Sequence, residues 1–219
     1  MLQKLLKGVI LKQITPNFNV RRIRYFMRDN ISVKQQDIET LAIKMQTGDL
    51  SSVHMTGQSI DRIYKKGVLV QELVGHNLVV NSLLNLVMCL LKQDENYGGL
   101  QYWAVGSGAS SWDDNMATPE ITATRLTSEI GRVPISIDDI RFLNSNYDEV
   151  SNPTNILQVS HIFGVNDCNG TWREFGIFGG NATETPNSGI MINKRHHSVI
   201  NKTDEMTIER VMRFTLNLV

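Results

Sequence analysis

The sequence holds only two cysteines, Cys89 and Cys168, far apart and without a CxxC spacing. That leaves no basis for a disulfide framework or a zinc knuckle, and both are expected as free thiols. Neither sign of charge dominates: 22 basic and 22 acidic side chains give a formal net charge of zero. No global field therefore draws the chain to nucleic acid or to an anionic lipid surface. A long unbroken apolar run is missing too. The longest, Leu78 to Leu91, is interrupted by Asn81, Ser82 and Asn85 and falls short of the ~20 residues that cross a bilayer, so no membrane insertion is expected. The opening stretch MLQKLLKGVILKQ carries a charge within every short apolar piece and so lacks the continuous apolar centre of a signal peptide. Internal repeats and low-complexity tracts are likewise absent.

What is present is ordinary globular material. Hydrophobic residues make up 41%, charged residues 20% and aromatics 7% of 219 residues, which suffices for one sizeable core rather than two. The charge is unevenly placed. Residues 1–28 carry Lys4, Lys7, Lys12, Arg21, Arg22, Arg24 and Arg28 with no acid, whereas residues 93–150 hold ten acids against Arg125, Arg132 and Arg141. Such a split suits the docking of a basic arm on the acidic face of a neighbouring subunit, because complementary patches fix register and speed encounter; it equally suits an unevenly charged solvated surface.

Residues 1–66 read as a basic N-terminal arm and linker, broken by Pro16. Ser32, with Gln35 and Gln36 ahead of Ile38, Leu41, Ala42 and Met45, predicts a capped amphipathic helix ending at Gly48. The polar stretch Ser51 to Lys65 is expected to be a linker or loop. From residue 67 to 219 the pattern becomes that of a β-rich core. A short strand is expected over Val68, Val70 and Leu73, then a buried helix over about 77–92. Its apolar residues point in almost every direction, and Asn77, Asn81 and Asn85, four apart, form one narrow polar stripe. So apolar a helix must be covered on most sides, by a sheet or by an interface around a symmetry axis. The stripe itself would either line that axis or cap nearby strand ends.

Further strands are expected at QYWAVG, at Val133, Ile135 and Ile137, and at Ile156 to Val165. An Asn/Asp/Gly turn at 166–170 is expected to lead into Thr171 to Phe178 as the hairpin partner of that last strand. The end of the chain alternates most cleanly. Met206, Ile208, Met212, Phe214, Leu216 and Leu218 point one way and Thr207, Glu209, Arg213, Thr215 and Asn217 the other, with Arg210 alone breaking the inward series.

Five segments carry a resemblance when taken in order: GHNLVVNSLLNLV at 75–87, YWAVGSG at 102–108, LTSEIGRVPI at 126–135, TWREFGIFGG at 171–180 and HHSVINKTDEMTIERVMRFTL at 196–216. The set resembles tail-fibre, tail-collar and baseplate-associated structural proteins of bacteriophages and of phage-tail-like particles. There an asparagine-led helix, an "AVGTG"-like strand, an "L..E..R" segment, a "REIGLF"-like strand and a final alternating strand recur. The likeness spans roughly residues 67 to 219. Ser82 and Leu83 stand where the pattern has a Thr-Gly step, and Gly179 and Gly180 replace a common acid.

No pattern for catalysis, a cofactor or a metal emerges. GSGAS at 106–110 lacks the Lys-Ser/Thr of a P-loop, no G-x-S-x-G elbow holds a serine, and the pairs Asp113, Asp114 and Asp138, Asp139 lack the alternating ligands of a calcium loop. His196 and His197 diverge on a strand, so a metal would need His161 or Cys168 to join one of them. Arg173 and Glu174 also face opposite ways; a buried Glu174 would need a partner such as Arg132 or Arg210.

The expectation is therefore an α+β, mainly β subunit: an antiparallel β-sandwich with one buried helix and an N-terminal arm. It would act without enzymatic chemistry, as a homo-oligomer (trimer or ring) bound to other phage tail or baseplate proteins in the virion. The interface residues expected are Arg21, Arg22, Arg24 and Arg28 in the arm, with Asn77, Asn81 and Asn85. A different reading is a receptor-binding module that holds host surface glycans through Trp103, Trp112, Trp172 and Tyr147 in loops.

Overall fold

The structure, a computed structural model, describes residues 53–218, which lie in a compact unit beginning at Ser52. The basic arm, its helix after Ser32 and the arginines at 21, 22, 24 and 28 fall outside the described residues. Strands account for 54% and helices for 10%, so the mainly β, antiparallel expectation holds.

Ten strands follow in chain order around one helix. They are β1 (Val53–Lys65), β2 (Val68–Val79), α1 (Ser82–Leu91), β3 (Gly98–Gly106), β4 (Glu129–Pro134), β5 (Ile140–Leu143), β6 (Glu149–Val150), β7 (Ile156–Phe163), β8 (Gly170–Gly180), β9 (Ile190–Lys202) and β10 (Met206–Leu218). All neighbours run antiparallel in the order β4-β3-β8-β9-β2-β1-β10-β7-β5-β6. They form one curled sheet, a half-barrel, where two separate sheets of a sandwich were expected. The reason lies in β2. It pairs with β1 from Val68 to Asn77, then turns its last residues, Leu78 and Val79, onto Lys194 and Asn193 of β9, and so joins two wings that would otherwise be separate sheets.

The wings close on each other through their concave faces. Ile63, Val159, Phe163, Ile208, Met212 and Phe214 from one wing meet Trp103, Val105, Trp172, Phe175, Ile177 and Ile200 from the other, with Leu86 of α1 among them. From Glu174 onward β8 is buried on both faces: Phe175 and Ile177 enter this core, while Phe178 packs in a second cluster with Val80, Ala104, Leu126 and Met191. Cover on both faces explains why β8 shows no polar alternation.

Two polar pairs span the centre. Asp61 of β1 and Arg210 of β10 are opposite neighbours, both wholly buried and joined by two hydrogen bonds of 2.5 and 3.2 Å. Arg210 is thus an inward member of its strand, and Phe175 of the opposite wing lies 3.9 Å from its guanidinium carbon. Beside it, Arg195 of β9 donates to Ser59 of β1. A Cβ at Gly75 would collide with the Arg195 guanidinium, and one at Gly57 with the Asn77 amide, so at both positions glycine lets a polar side chain lie flat against the sheet.

Three expectations need correction. The stretch from Ser51, read as a loop because it is polar, supplies β1, a central strand whose inward positions include Ser59 and Asp61. The helix begins five residues late: Asn77 belongs to β2 and only Leu86 of α1 is fully buried. Strands β7 and β8 do not form a hairpin; β7 pairs with β10 and β5, and β8 with β3 and β9. The connection between them crosses from wing to wing, tied by Lys202 donating to the Gly164 carbonyl at 2.6 Å and Trp172 donating to the Cys168 carbonyl at 2.7 Å.

Removing one member of a buried ion pair strands the other. Asp61→Ala is expected to destabilise the fold by about 3–5 kcal/mol, whereas Asp61→Val combined with Arg210→Met costs markedly less. Urea unfolding of the two variants beside the parent protein makes the comparison.

Candidate functional site

The two buried carboxylates among the described residues, Asp61 and Glu174, are each paired with a cationic side chain. Glu174 is fully buried and accepts hydrogen bonds from the Thr127 and Ser128 backbone N–H groups at 3.0 and 2.9 Å, with Lys194 at 3.0 Å. Burial on its own would raise its pKa, but the two N–H groups and Lys194 outweigh it and hold the carboxyl below the usual carboxylate range. Neither expected partner takes part: Arg132 holds Glu129 at 2.6 Å and Arg210 holds Asp61. Lys194 also donates to the Arg125 carbonyl and the Thr127 hydroxyl. The group therefore anchors the segment that leads into β4 on the surface of β8 and β9.

The histidines part as strand alternation requires. His196 stacks on Trp112 with ring centres 3.9 Å apart, and its Nδ1 lies 2.6 Å from the Ala117 carbonyl. His197 enters the core beside Phe175. Burial, and then the positive charge of Arg210, push its pKa from 6.5 down to about 4, so it is neutral at pH 7. His161 stands 3.9 Å from Asp139. Asp113 takes Arg173 at 2.6 Å, and Asp139 caps the turn begun by Ser136. Among the described residues no group of three or more His, Cys, Asp or Glu side chains is placed to hold a metal ion.

The aromatic residues considered for glycan contact are not gathered. Trp103 and Trp172 have no exposed surface, Trp112 lies on His196, and Tyr147 lies under Arg213 at 4.5 Å. The three asparagines do not form a stripe either. Asn77 is buried in β2 with both amide atoms unpartnered. Asn81 precedes α1 without capping it through its side chain, and Asn85 is exposed on the helix. Asn77 and Asn81 sit on either side of a strand-to-helix bend, and that bend destroys the four-residue spacing.

What the structure leaves open is apolar surface. Helix α1 contains no charged residue. Leu83, Leu86, Val87 and Leu90 wall an open groove of ≈ 370 Å3 whose other side is Leu157 and Phe214 from the curled sheet. Leu84, Met88 and Leu91, at positions i, i+4 and i+7, point away from the groove and are 67, 64 and 72% exposed. Only Leu86 of α1 is fully buried, and the side turned away from the groove presents an uncharged apolar stripe to solvent. The signal was legible as a helix apolar in nearly every direction; which direction stays uncovered was not. No helix among the described residues is long and apolar enough to cross a membrane.

The depressed His197 pKa fixes a pH dependence. The unfolded chain takes up a proton near pH 6.5 that the folded protein refuses until about pH 4. Stability contributed at this position is intact above pH 6.5 and falls by about 3 kcal/mol as the pH drops to 4. His197→Phe is expected to lack this loss, and urea midpoints of both proteins at pH 7 and pH 4 measure the difference.

In comparisons with known proteins, no family model, no curated protein and no solved structure matches the chain.

Proposed function

We propose that the protein is a structural subunit of a bacteriophage tail or a tail-like particle, a component of the baseplate, fibre or collar that works by associating with copies of itself and with neighbouring tail proteins. The observation that carries this reading is the uncharged helix α1, with Leu84, Met88 and Leu91 directed outward from the curled sheet. An apolar stripe of this kind is stable in water when another protein surface covers it. The ordered segments from residue 75 to 216 supply the tail-protein part of the reading, and the acidic stretch at 93–150 supplies a surface suited to a basic partner segment.

The buried chemistry favours the same reading. Glu174, Asp61 and Lys194, the groups that a catalyst would need to spend on substrate, are engaged with protein atoms at hydrogen-bond distance. The proposed work of the fold is to hold outer surfaces in a fixed relation, as trimer or ring, inside a virion.

Native mass measurement of the full chain at micromolar concentration is expected to give a discrete oligomer. Met88→Lys, an exposed substitution that leaves the circular dichroism spectrum unchanged, is expected to weaken association by about tenfold or more, since a charge would be buried in an apolar contact. A monomer at all concentrations, indifferent to isolated tail proteins, would sink the proposal.

A further inference from the structure

The longest irregular stretch among the described residues runs from Asp114 to Ser128, without helix or strand. Connections of that length inside a compact domain are uncommon, and an ordered one usually serves binding. This one is fixed by polar anchors. Arg173 holds Asp113, just before it, at 2.6 Å, and the Ala117 carbonyl lies 2.6 Å from Nδ1 of His196. The Asn187 amide oxygen accepts from the Leu126 N–H at 2.8 Å, while Lys194 and Glu174 hold Arg125, Thr127 and Ser128. So tied, the stretch stands beside the face of β9 that carries Lys194 and His196 and borders an open cleft of ≈ 550 Å3, within the roughly 300–1,000 Å3 of small-ligand sites.

The groups lining the cleft select the chemistry of its ligand. Lys194 is among them, but an ammonium has three hydrogens, and these are engaged by the Arg125 carbonyl at 3.2 Å, the Thr127 hydroxyl at 3.1 Å and Glu174 at 3.0 Å. None is left for an anion. The other charged groups of the lining, Arg125 and Glu120, are of opposite sign, so neither a phosphate nor a cation meets a matching field. The rest is neutral: the exposed Thr118, Thr122 and Thr124, and the half-buried indole of Trp112 stacked on His196.

One group in the cleft lacks a donor. The His196 side chain is 5% exposed. A carbonyl only accepts, so the ring hydrogen sits on the Nδ1 that faces Ala117, and burial lowers the ring's pKa, which keeps it neutral at pH 7. Nε2 is then a bare acceptor, without a hydrogen-bond partner among the described residues. The Glu174 carboxylate, 3.9 Å away, is an acceptor as well.

We propose that the cleft binds an uncharged saccharide, one sugar hydroxyl donating to Nε2 of His196, its neighbours meeting the threonine hydroxyls and a ring edge lying against Trp112. A saccharide presents adjacent hydroxyls that both donate and accept, as the hydroxyls of the wall do. It requires one aromatic wall and no aromatic cluster. The inference is independent of the self-assembly reading.

The full chain is titrated with a panel of neutral mono- to tetrasaccharides, and with uronic, sialylated and sulfated sugars, and saturation transfer to the sugar protons is read by NMR. At least one neutral sugar is expected to bind with a Kd of about 1 mM or tighter and to shift the Nε2 resonance of His196 in nitrogen-labelled protein. Thr124→Val, an exposed change that keeps the side chain's shape, and His196→Phe, which removes the acceptor, should each weaken binding by about three- to tenfold. Circular dichroism establishes that a variant is folded, and if His196→Phe is not, Thr124→Val and the Nε2 shift decide. Binding confined to charged sugars, binding unchanged in the folded variants, or no transfer to any neutral sugar at about ten times that Kd overturns the proposal. Each of these outcomes leaves self-assembly standing.

Discussion

The fold depends on one buried charge pair, Asp61 with Arg210. The two residues are 149 positions apart in sequence, face each other across the central strands β1 and β10, and are both sealed from solvent. Their desolvation is costly, and the energy recovered from mutual attraction depends on tight geometry. That geometry exists only in one register, because a slip of one residue would send either side chain to the opposite face of the sheet. Arg210 also lies against Phe175 of the other wing, so the pair fixes the closing of the half-barrel as well as the pairing within one wing.

The seam beside it extends this constraint. Ser59, Gly75 and Arg195 come from β1, β2 and β9, the three strands where the sheet bends. Burial lowers the pKa of Arg195, and burial together with the charge of Arg210 lowers that of neighbouring His197. The centre of this protein is thus a polar core enclosed by aromatic residues. It has the composition of an active site and the connectivity of a structural joint.

How far the sequence foretold this differs from element to element. Strand β10 was legible because its period of two runs nearly unbroken, and β3, β7 and β8 because short apolar runs end in glycine or asparagine turns. Strand β1 was hidden, since Ser59 and Asp61 occupy inward positions and so break the apolar alternation that Ile63 alone would suggest; only Arg210, the one interruption of β10, hinted at a buried acid opposite. The helix was recognised but extended too far back, because Leu78 and Val79 continue an apolar pattern across the bend where β2 changes partner. The β7–β8 connection has the composition of a tight turn, yet Lys202 and Trp172, distant in sequence, hold it as a crossover. At the candidate site the apolar character of α1 was plain. Its exposed half was not, since the uncovered side depends on where the curled sheet ends.

The pairing of β1 with β10, from Val53 opposite Leu218 to Lys65 opposite Met206, sets the order in which the molecule can be completed. As the chain leaves the ribosome, β1 and β2 are the first of the described strands to emerge, and β1 waits for the last of them before its second edge is filled. Until then Asp61 lacks its counter-charge and Ile63 lacks its cover. Contacts so far apart in sequence carry a large loop-closure cost before they are rewarded, and that makes for slow folding.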